Sequence, residues 1–279
     1  MATRGRKKKG EASMATQDKV QPKEGFVKTA SHGRMHYHEA GSGQPLILIH
    51  TNGGSVYQYA ESLTSLSKHF RVILWEMPGH GDSDPLARHY SISDYSRALA
   101  EFMTALGIKA AHISGCSCGG SITVGFASLF PERTLSAVIV ETPYRTNEEW
   151  GARWGHTEAN FGIPTQSKEE VSHRLNKVDD EVLTRWNIDR NKAGGKTMVS
   201  VMWAMRLFNL DAAVKKITSP AMVLYGAKGP TISLKERYAA AAPQMPIRTV
   251  PNAGHFPMID DPEGFATELI DFCSTATKR

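Results

Sequence analysis

Cysteine is scarce in this chain. Cys116, Cys118 and Cys273 are its three cysteines. An odd count without framework spacing excludes a disulfide scaffold and points to a reducing compartment, so a cytoplasmic protein is expected. Long apolar runs are also missing. No stretch approaches the ~20 residues that a membrane-spanning helix needs, so no membrane partner is expected. No apolar segment of leader type follows the basic start, so no secretory leader is expected either. Acids are missing from residues 1–10, which carry five basic side chains, while the remaining residues balance at 28 Lys+Arg against 28 Asp+Glu. The net charge of +5 therefore belongs to a terminal segment and gives no ground for a nucleic-acid partner. The run Arg4-Gly5-Arg6-Lys7-Lys8-Lys9 reads as a solvated tail, with an address or a polyanion contact as the alternative. No internal repeat, P-loop or dinucleotide fingerprint is found, so no nucleotide cofactor is expected.

What is present is an alternation of short apolar runs with helical periodicity, beginning after a polar tail over 1–24. Strands are expected at Phe26–Thr29, Met35–Glu39, Pro45–His50, Val72–Glu76, Ala111–Ser114, Ser136–Glu141, Ala221–Tyr225 and Ile247–Val250. Runs such as Leu46-Ile47-Leu48-Ile49 are apolar at every position, as in strands covered on both faces. Helices are expected over Ser93–Leu106, with Ser93 as its cap, and over Gly119–Phe130 and Pro262–Thr275. This order implies an α/β fold, a mostly parallel eight-stranded sheet with flanking helices. Residues 145–217 break the rhythm, with helical stretches at Lys168–Lys177, Asp180–Trp186 and Thr197–Asn209 and no strand. They read as a helical cap inserted into a core made of 25–144 and 218–279. Trp150, Trp154, Trp186 and Trp203 lie in it. Trp203, with Met202 or Met205 beside it, is expected to line a substrate pocket, and plain packing of the cap on the sheet is the competing reading.

The chemistry concentrates in Gly115-Cys116-Ser117-Cys118-Gly119, a G-x-S-x-G sequence after an expected strand and before an expected helix. In that context the turn holds the serine hydroxyl above the carboxyl end of the sheet. The N–H of Cys118, opening the helix, points where an oxyanion forms. An ordinary glycine-rich strand-to-helix turn is the bland alternative. Cys116 and Cys118 form a C-x-C pair with no zinc-type partner pair, so they read as small fillers of the turn. His36 and His38 share one strand face, yet no third ligand has useful spacing, so no metal is expected. His255, in Asn252-Ala253-Gly254-His255-Phe256-Pro257 after the last strand, stands where a loop can hold an imidazole over the strand ends; a surface histidine is the alternative.

Taken together, nucleophile first and histidine last, the chain resembles the α/β-hydrolase fold superfamily over almost all of 25–279. Glu76-Met77-Pro78-Gly79-His80-Gly81-Asp82-Ser83-Asp84 resembles that superfamily's loop after strand four. His50-Thr51-Asn52-Gly53-Gly54 resembles its oxyanion loop, with Thr51 in place of a glycine; by position, the N–H of Asn52 is then the second oxyanion donor. The triad acid of most members follows strand seven, but here that loop, Gly226-Ala227-Lys228-Gly229-Pro230, has no carboxylate. Glu141 does stand at the end of strand six. This arrangement is similar to that of fungal zearalenone lactonases, which combine a G-C-S-S-G elbow, a glutamate ending strand six and a G-M-H-F-P histidine loop. The resemblance implies a Ser117–His255–Glu141 triad with an oxyanion hole at Asn52 and Cys118. It also implies a cofactor-independent hydrolase of carboxylic esters acting on a small-molecule ester or a bulky lactone such as zearalenone. A general carboxylesterase, a C–C bond hydrolase, a lyase, a triad-bearing small-molecule receptor and an inactive interaction module stay open. The sequence leaves the oligomeric state open.

Overall fold

The computed structural model describes residues 19–276; most of the basic tail, residues 1–18, lies outside the described residues. All eight expected strands form. They are β1 (Lys23–Lys28), β2 (Arg34–Ala40), β3 (Pro45–Ile49), β4 (Arg71–Trp75), β5 (Ala111–Cys116), β6 (Thr134–Val140), β7 (Ala221–Gly226) and β8 (Ile247–Val250). They build one sheet in the order β1-β2-β4-β3-β5-β6-β7-β8. β2 runs antiparallel to both β1 and β4, and the pairings from β4 to β8 are parallel. β1 begins at Lys23, inside the stretch read as tail. Just before it, Lys19 pairs with Glu61 at 2.6 Å and the Val20 N–H donates to Thr64 Oγ1 at 3.1 Å.

The continuous apolar runs arise because alternate residues of each strand enter different cores. Leu46, Leu48, Leu74, Val138 and Val140 meet Leu63, Phe265 and Leu269 on one face. Ile47, Ile49, Ile73 and Ile113 meet Leu99, Phe102 and Ile122 on the other. The first of these faces is covered by helices α1 (Ala60–Leu66) and α11 (Pro262–Ala276), the second by α2 (Ile92–Ala105) and α3 (Cys118–Leu129). The cap of α2 is Ser91, not Ser93. Its hydroxyl accepts from the Asp94 N–H while the Asp94 carboxylate accepts from the Ser91 N–H, a reciprocal box worth about 1 kcal/mol.

Between β6 and β7 the chain is helical, with α4 (Asn147–Ala152), α5 (Trp154–Gly162), α6 (Lys168–Ser172), α7 (Asp180–Leu207) and α8 (Leu210–Val214). The helix expected at Lys168–Lys177 stops at Ser172. The two expected over 180–209 are both present within α7, parted at Gly194, whose non-helical φ of 76° and ψ of 153° suit a residue without Cβ. Helices α9 (Lys235–Ala241) and α10 (Pro257–Asp260) flank β8. Among the described residues no helix is long and apolar enough to cross a membrane. The three cysteines are buried and unbridged.

Candidate active site

In an open parallel sheet the carboxyl ends of the strands share one rim, the usual place for a site. Here β3 delivers Thr51 and Asn52, β5 delivers Ser117, β6 delivers Glu141, and the segment after β8 delivers His255.

Ser117 has φ 57° and ψ −113°, a strained turn between β5 and α3. The glycines around it are required by space. A Cβ on Gly115 would strike the backbone of Gly119, and one on Gly119 would come within 2.5 Å of the Ile49 carbonyl oxygen. The Ser117 N–H donates to the Val140 carbonyl at 2.9 Å, and its own carbonyl accepts from the Thr142 hydroxyl at 3.0 Å, so the turn is tied to the end of β6. Its side chain is partly exposed while both neighbouring cysteines are fully buried. Burial pushes the Cys118 thiol up to about 12, against the pull of the Gly119, Cys118 and Asn52 N–H groups that face its sulfur. Burial, with the Glu141 charge adding to it, pushes the Cys116 thiol well up too. Neither thiol is therefore a nucleophile at neutral pH, in keeping with their reading as fillers.

Glu141 is the second non-glycine residue with positive φ, 45°. Its side chain is fully buried and has three partners. Oε1 accepts from the Gly226 N–H at 2.8 Å, Oε2 accepts from the Thr231 hydroxyl at 2.5 Å, and Oε2 lies 3.1 Å from Nδ1 of His255. The carboxylate thus occupies the space over the empty 226–230 loop, where a Cβ on Gly229 would collide with it. Arg145, the basic residue nearest in sequence to this glutamate, lies over the Trp150 ring. Of the other acids nearby, Glu236 is exposed, and Asp260 accepts from the N–H groups of Gly254 at 2.7 Å and Asn176 at 2.8 Å. Asp260 therefore braces the histidine loop from behind. The loop is held further by the His255 N–H donating to the Arg174 carbonyl at 3.2 Å. Among the described residues no hydrogen bond joins Ser117 to His255; such contacts commonly tighten only with substrate bound.

The oxyanion loop rests on a buried polar network that the sequence did not announce. Gln58 accepts from the Thr51 N–H at 2.9 Å and donates to the Thr51 hydroxyl at 2.8 Å. The Met77 N–H donates to His50 Nε2 at 3.1 Å, which leaves Nδ1–H of His50 to donate to the Thr51 carbonyl at 2.8 Å. Asn52 spends its side chain on structure: Nδ2 donates to the Met198 carbonyl at 2.8 Å and Oδ1 lies 3.3 Å from Nε2 of His80. Burial and the neighbouring His50 push His80 down to about 3, so it is a neutral donor to Asn52. The only sequence signal for this network was the cluster of polar residues following two apolar runs.

The expected pocket residues separate. Met202 and Met205 are buried in the cluster that contains Cys118 and Ile122. Trp203 packs on Trp154, ring centroids 4.1 Å apart, with the Arg206 guanidinium over both rings. A cleft of about 1010 Å³ runs between the first half of α7 and the core, bordering Gly53, Gly54, Trp186, Asn252 and Asp260. It touches the oxyanion and histidine loops from the side, and Ser117, Glu141 and His255 do not line it.

An eight-stranded, mostly parallel sheet with a strained serine turn after β5 and a late histidine at the same rim defines the α/β-hydrolase class. The sequence profile of the alpha/beta hydrolase fold family matches residues 44–162, and the fold is that of this superfamily. Among curated proteins it is 25% identical over 253 residues to a 2-hydroxy-6-oxo-2,4-heptadienoate hydrolase of Pseudomonas putida, covering 84% of this chain and 91% of that one. It is 27% identical over 236 residues to an (E)-2-((N-methylformamido)methylene)succinate hydrolase of Acinetobacter baylyi, covering 82% and 89%. Among solved structures it is similar to an N-acyl homoserine lactonase variant complexed with N-hexanoyl homoserine. That likeness has a TM-score of 0.79 and 26% identity, over 93% of this chain and 98% of that one. That these relatives are hydrolases supports an enzyme.

Proposed function

We propose that the protein is a serine hydrolase of carboxylic esters whose preferred substrate is a bulky lactone. The observation that carries this reading is the buried Glu141 carboxylate 3.1 Å from Nδ1 of His255, at the same sheet rim as the strained Ser117 turn. With Nδ1–H held by Glu141, Nε2 is the free lone pair and can accept the Ser117 proton. Ser117 Oγ attacks the carbonyl carbon, and the N–H groups of Asn52 and Cys118 hold the resulting oxyanion. Collapse breaks the acyl C–O bond, and His255 passes its proton to the departing alkoxide. In a lactone that alkoxide stays tethered to the acyl group. Water, deprotonated by His255, then attacks the acyl-enzyme and releases the hydroxy acid with Ser117 restored. Every step uses groups of this chain and water.

The lactone preference rests on the glutamate-after-strand-six arrangement shared with zearalenone lactonases, and on the similarity to an N-acyl homoserine lactonase. Its test is a competition between a resorcylic macrolactone and a short p-nitrophenyl ester. Higher kcat/KM on the macrolactone is expected, and short esters ahead by orders of magnitude would make the protein a general esterase. Cleavage of carbon–carbon bonds is the second reading, favoured by the likeness to the Pseudomonas putida hydrolase. Turnover of a 2-hydroxy-6-oxo-dienoate, with no ester turnover, would select it.

A further inference from the structure

The β1–β2 hairpin carries a cluster that the ester chemistry does not use. β1 and β2 pair so that Glu24 stands opposite His38 and Phe26 opposite His36. Residues directly opposite in an antiparallel pair share a face, so Glu24, His36 and His38 project together. This is the third ligand that sequence spacing could not supply, since it comes from across the register. One donor atom from each of the three lies within 4.8 Å of the others. Ideal tetrahedral zinc with bonds of about 2.0–2.1 Å separates its donors by roughly 3.3 Å. The shortfall falls within the reach of Glu24, whose side chain is 62% exposed on an edge strand and free to swing inward.

A second observation concerns the back of the cluster. His36 is 3% exposed at its side chain, and its Nδ1 lies 2.8 Å from Oε2 of Glu76, itself buried. Glu76 is committed where it is, because it also accepts from the N–H groups of Asp82 at 2.6 Å and Val56 at 3.3 Å. A carboxylate fixed behind one ring nitrogen orients the other outward, and that is the outer-shell arrangement metal-bound histidines use. Nε2 of His36 faces Glu24 Oε1 at 3.1 Å, and the His38 ring stands edge-on, centroids 5.1 Å away. Two imidazoles and one carboxylate form a donor set that suits zinc and not calcium or magnesium.

We infer that Glu24, His36 and His38 bind one divalent zinc-type ion, with solvent in the fourth position and Glu76 as the outer-shell carboxylate on His36. The ion takes the place of the proton that bridges His36 Nε2 and Glu24, and that proton leaves to solvent. The site lies three strand steps from β5, roughly 14 Å at ~4.8 Å per step, so the ion pins the edge strand β1 and takes no part at Ser117.

The test uses the full chain without a histidine tag, titrated with zinc by calorimetry and with cobalt by absorption spectroscopy. One ion per chain is expected, with cobalt giving the visible bands of a tetrahedral site. His38→Ala and Glu24→Gln, both at positions with solvent access, should weaken binding tenfold or more. The exposed His173→Ala should bind as wild type. Zinc should raise the melting temperature of wild type and leave that of His38→Ala unchanged. No uptake at micromolar metal by the wild-type chain overturns the assignment, as does equal affinity in His38→Ala and Glu24→Gln.

Discussion

Oε2 of Glu141 lies 3.1 Å from Nδ1 of His255 and 2.5 Å from the Thr231 hydroxyl, so one oxygen joins the ends of β6, β7 and β8. This places a carboxylate on the imidazole from a strand end, while the loop that usually supplies one, 226–230, holds only small and basic residues. If the glutamate fixes the tautomer of His255, Glu141→Gln should retain the fold and lose on the order of 10⁴ in kcat. Circular dichroism and steady-state kinetics on one substrate check both halves, and a loss below tenfold would remove Glu141 from the relay.

Thr231 is buried and its hydroxyl donates to that carboxylate. Thr231→Val keeps the shape and deletes the donor. A hydrogen bond to a charged group is worth about 1.5–3 kcal/mol, so kcat/KM should fall roughly ten- to a hundredfold with KM little changed. Thr231→Ser should recover most of the loss. Equal activity in the valine variant would mean that Gly226 N–H alone fixes Glu141.

The two elbow cysteines are held as thiols by burial, Cys118 at about 12. Native protein at pH 8 should therefore resist iodoacetamide at both sites, and Cys116→Ala should keep ester turnover. Peptide mass mapping before and after unfolding gives the contrast. Rapid labelling in the native state would reopen thiol chemistry at this turn.

His112 is fully buried between Ser136 and Gln44, and burial pushes it down to about 4 from the usual 6.5. The unfolded chain binds this proton first, so stability is complete above pH 6.5 and is lost as pH falls toward 4. At ~1.4 kcal/mol per pKa step, the loss is on the order of 3 kcal/mol. His112→Gln, which keeps both hydrogen-bonding ends, should flatten this part of the profile in urea melts between pH 7 and 4. Parallel profiles for the two proteins would assign the acid sensitivity elsewhere.

Much of this was legible in the chain before any coordinates. β3 and β7 were readable because strands buried on both faces are apolar almost throughout, β6 from its run Val138-Ile139-Val140, and Ser117 because two glycines flank it for steric reasons visible in the turn. Glu141 came into view through the resemblance, since loop 226–230 has no carboxylate where most members of the superfamily carry one. What was not legible depends on long-range contact. Thr231 stands ninety residues from the carboxylate it serves. Gln58 and His80 look like loop polar residues until Thr51 and Asn52 are packed on them. Ser93 stands just ahead of the apolar stripe and so looks like the helix cap, whereas the reciprocal bonds with Asp94 put the cap at Ser91. The break expected between two cap helices is present at Gly194, whose backbone is non-helical.

The most direct measurement is rapid-quench mass spectrometry of the protein during turnover of a chromogenic ester. The account predicts a burst of product equal to one per active chain. It also predicts an acyl group on the peptide containing Ser117, absent in Ser117→Ala, whose residual rate should be only ~10³-fold over water. Full turnover by Ser117→Ala, or an acyl group recovered on Cys116 or Cys118, would contradict it.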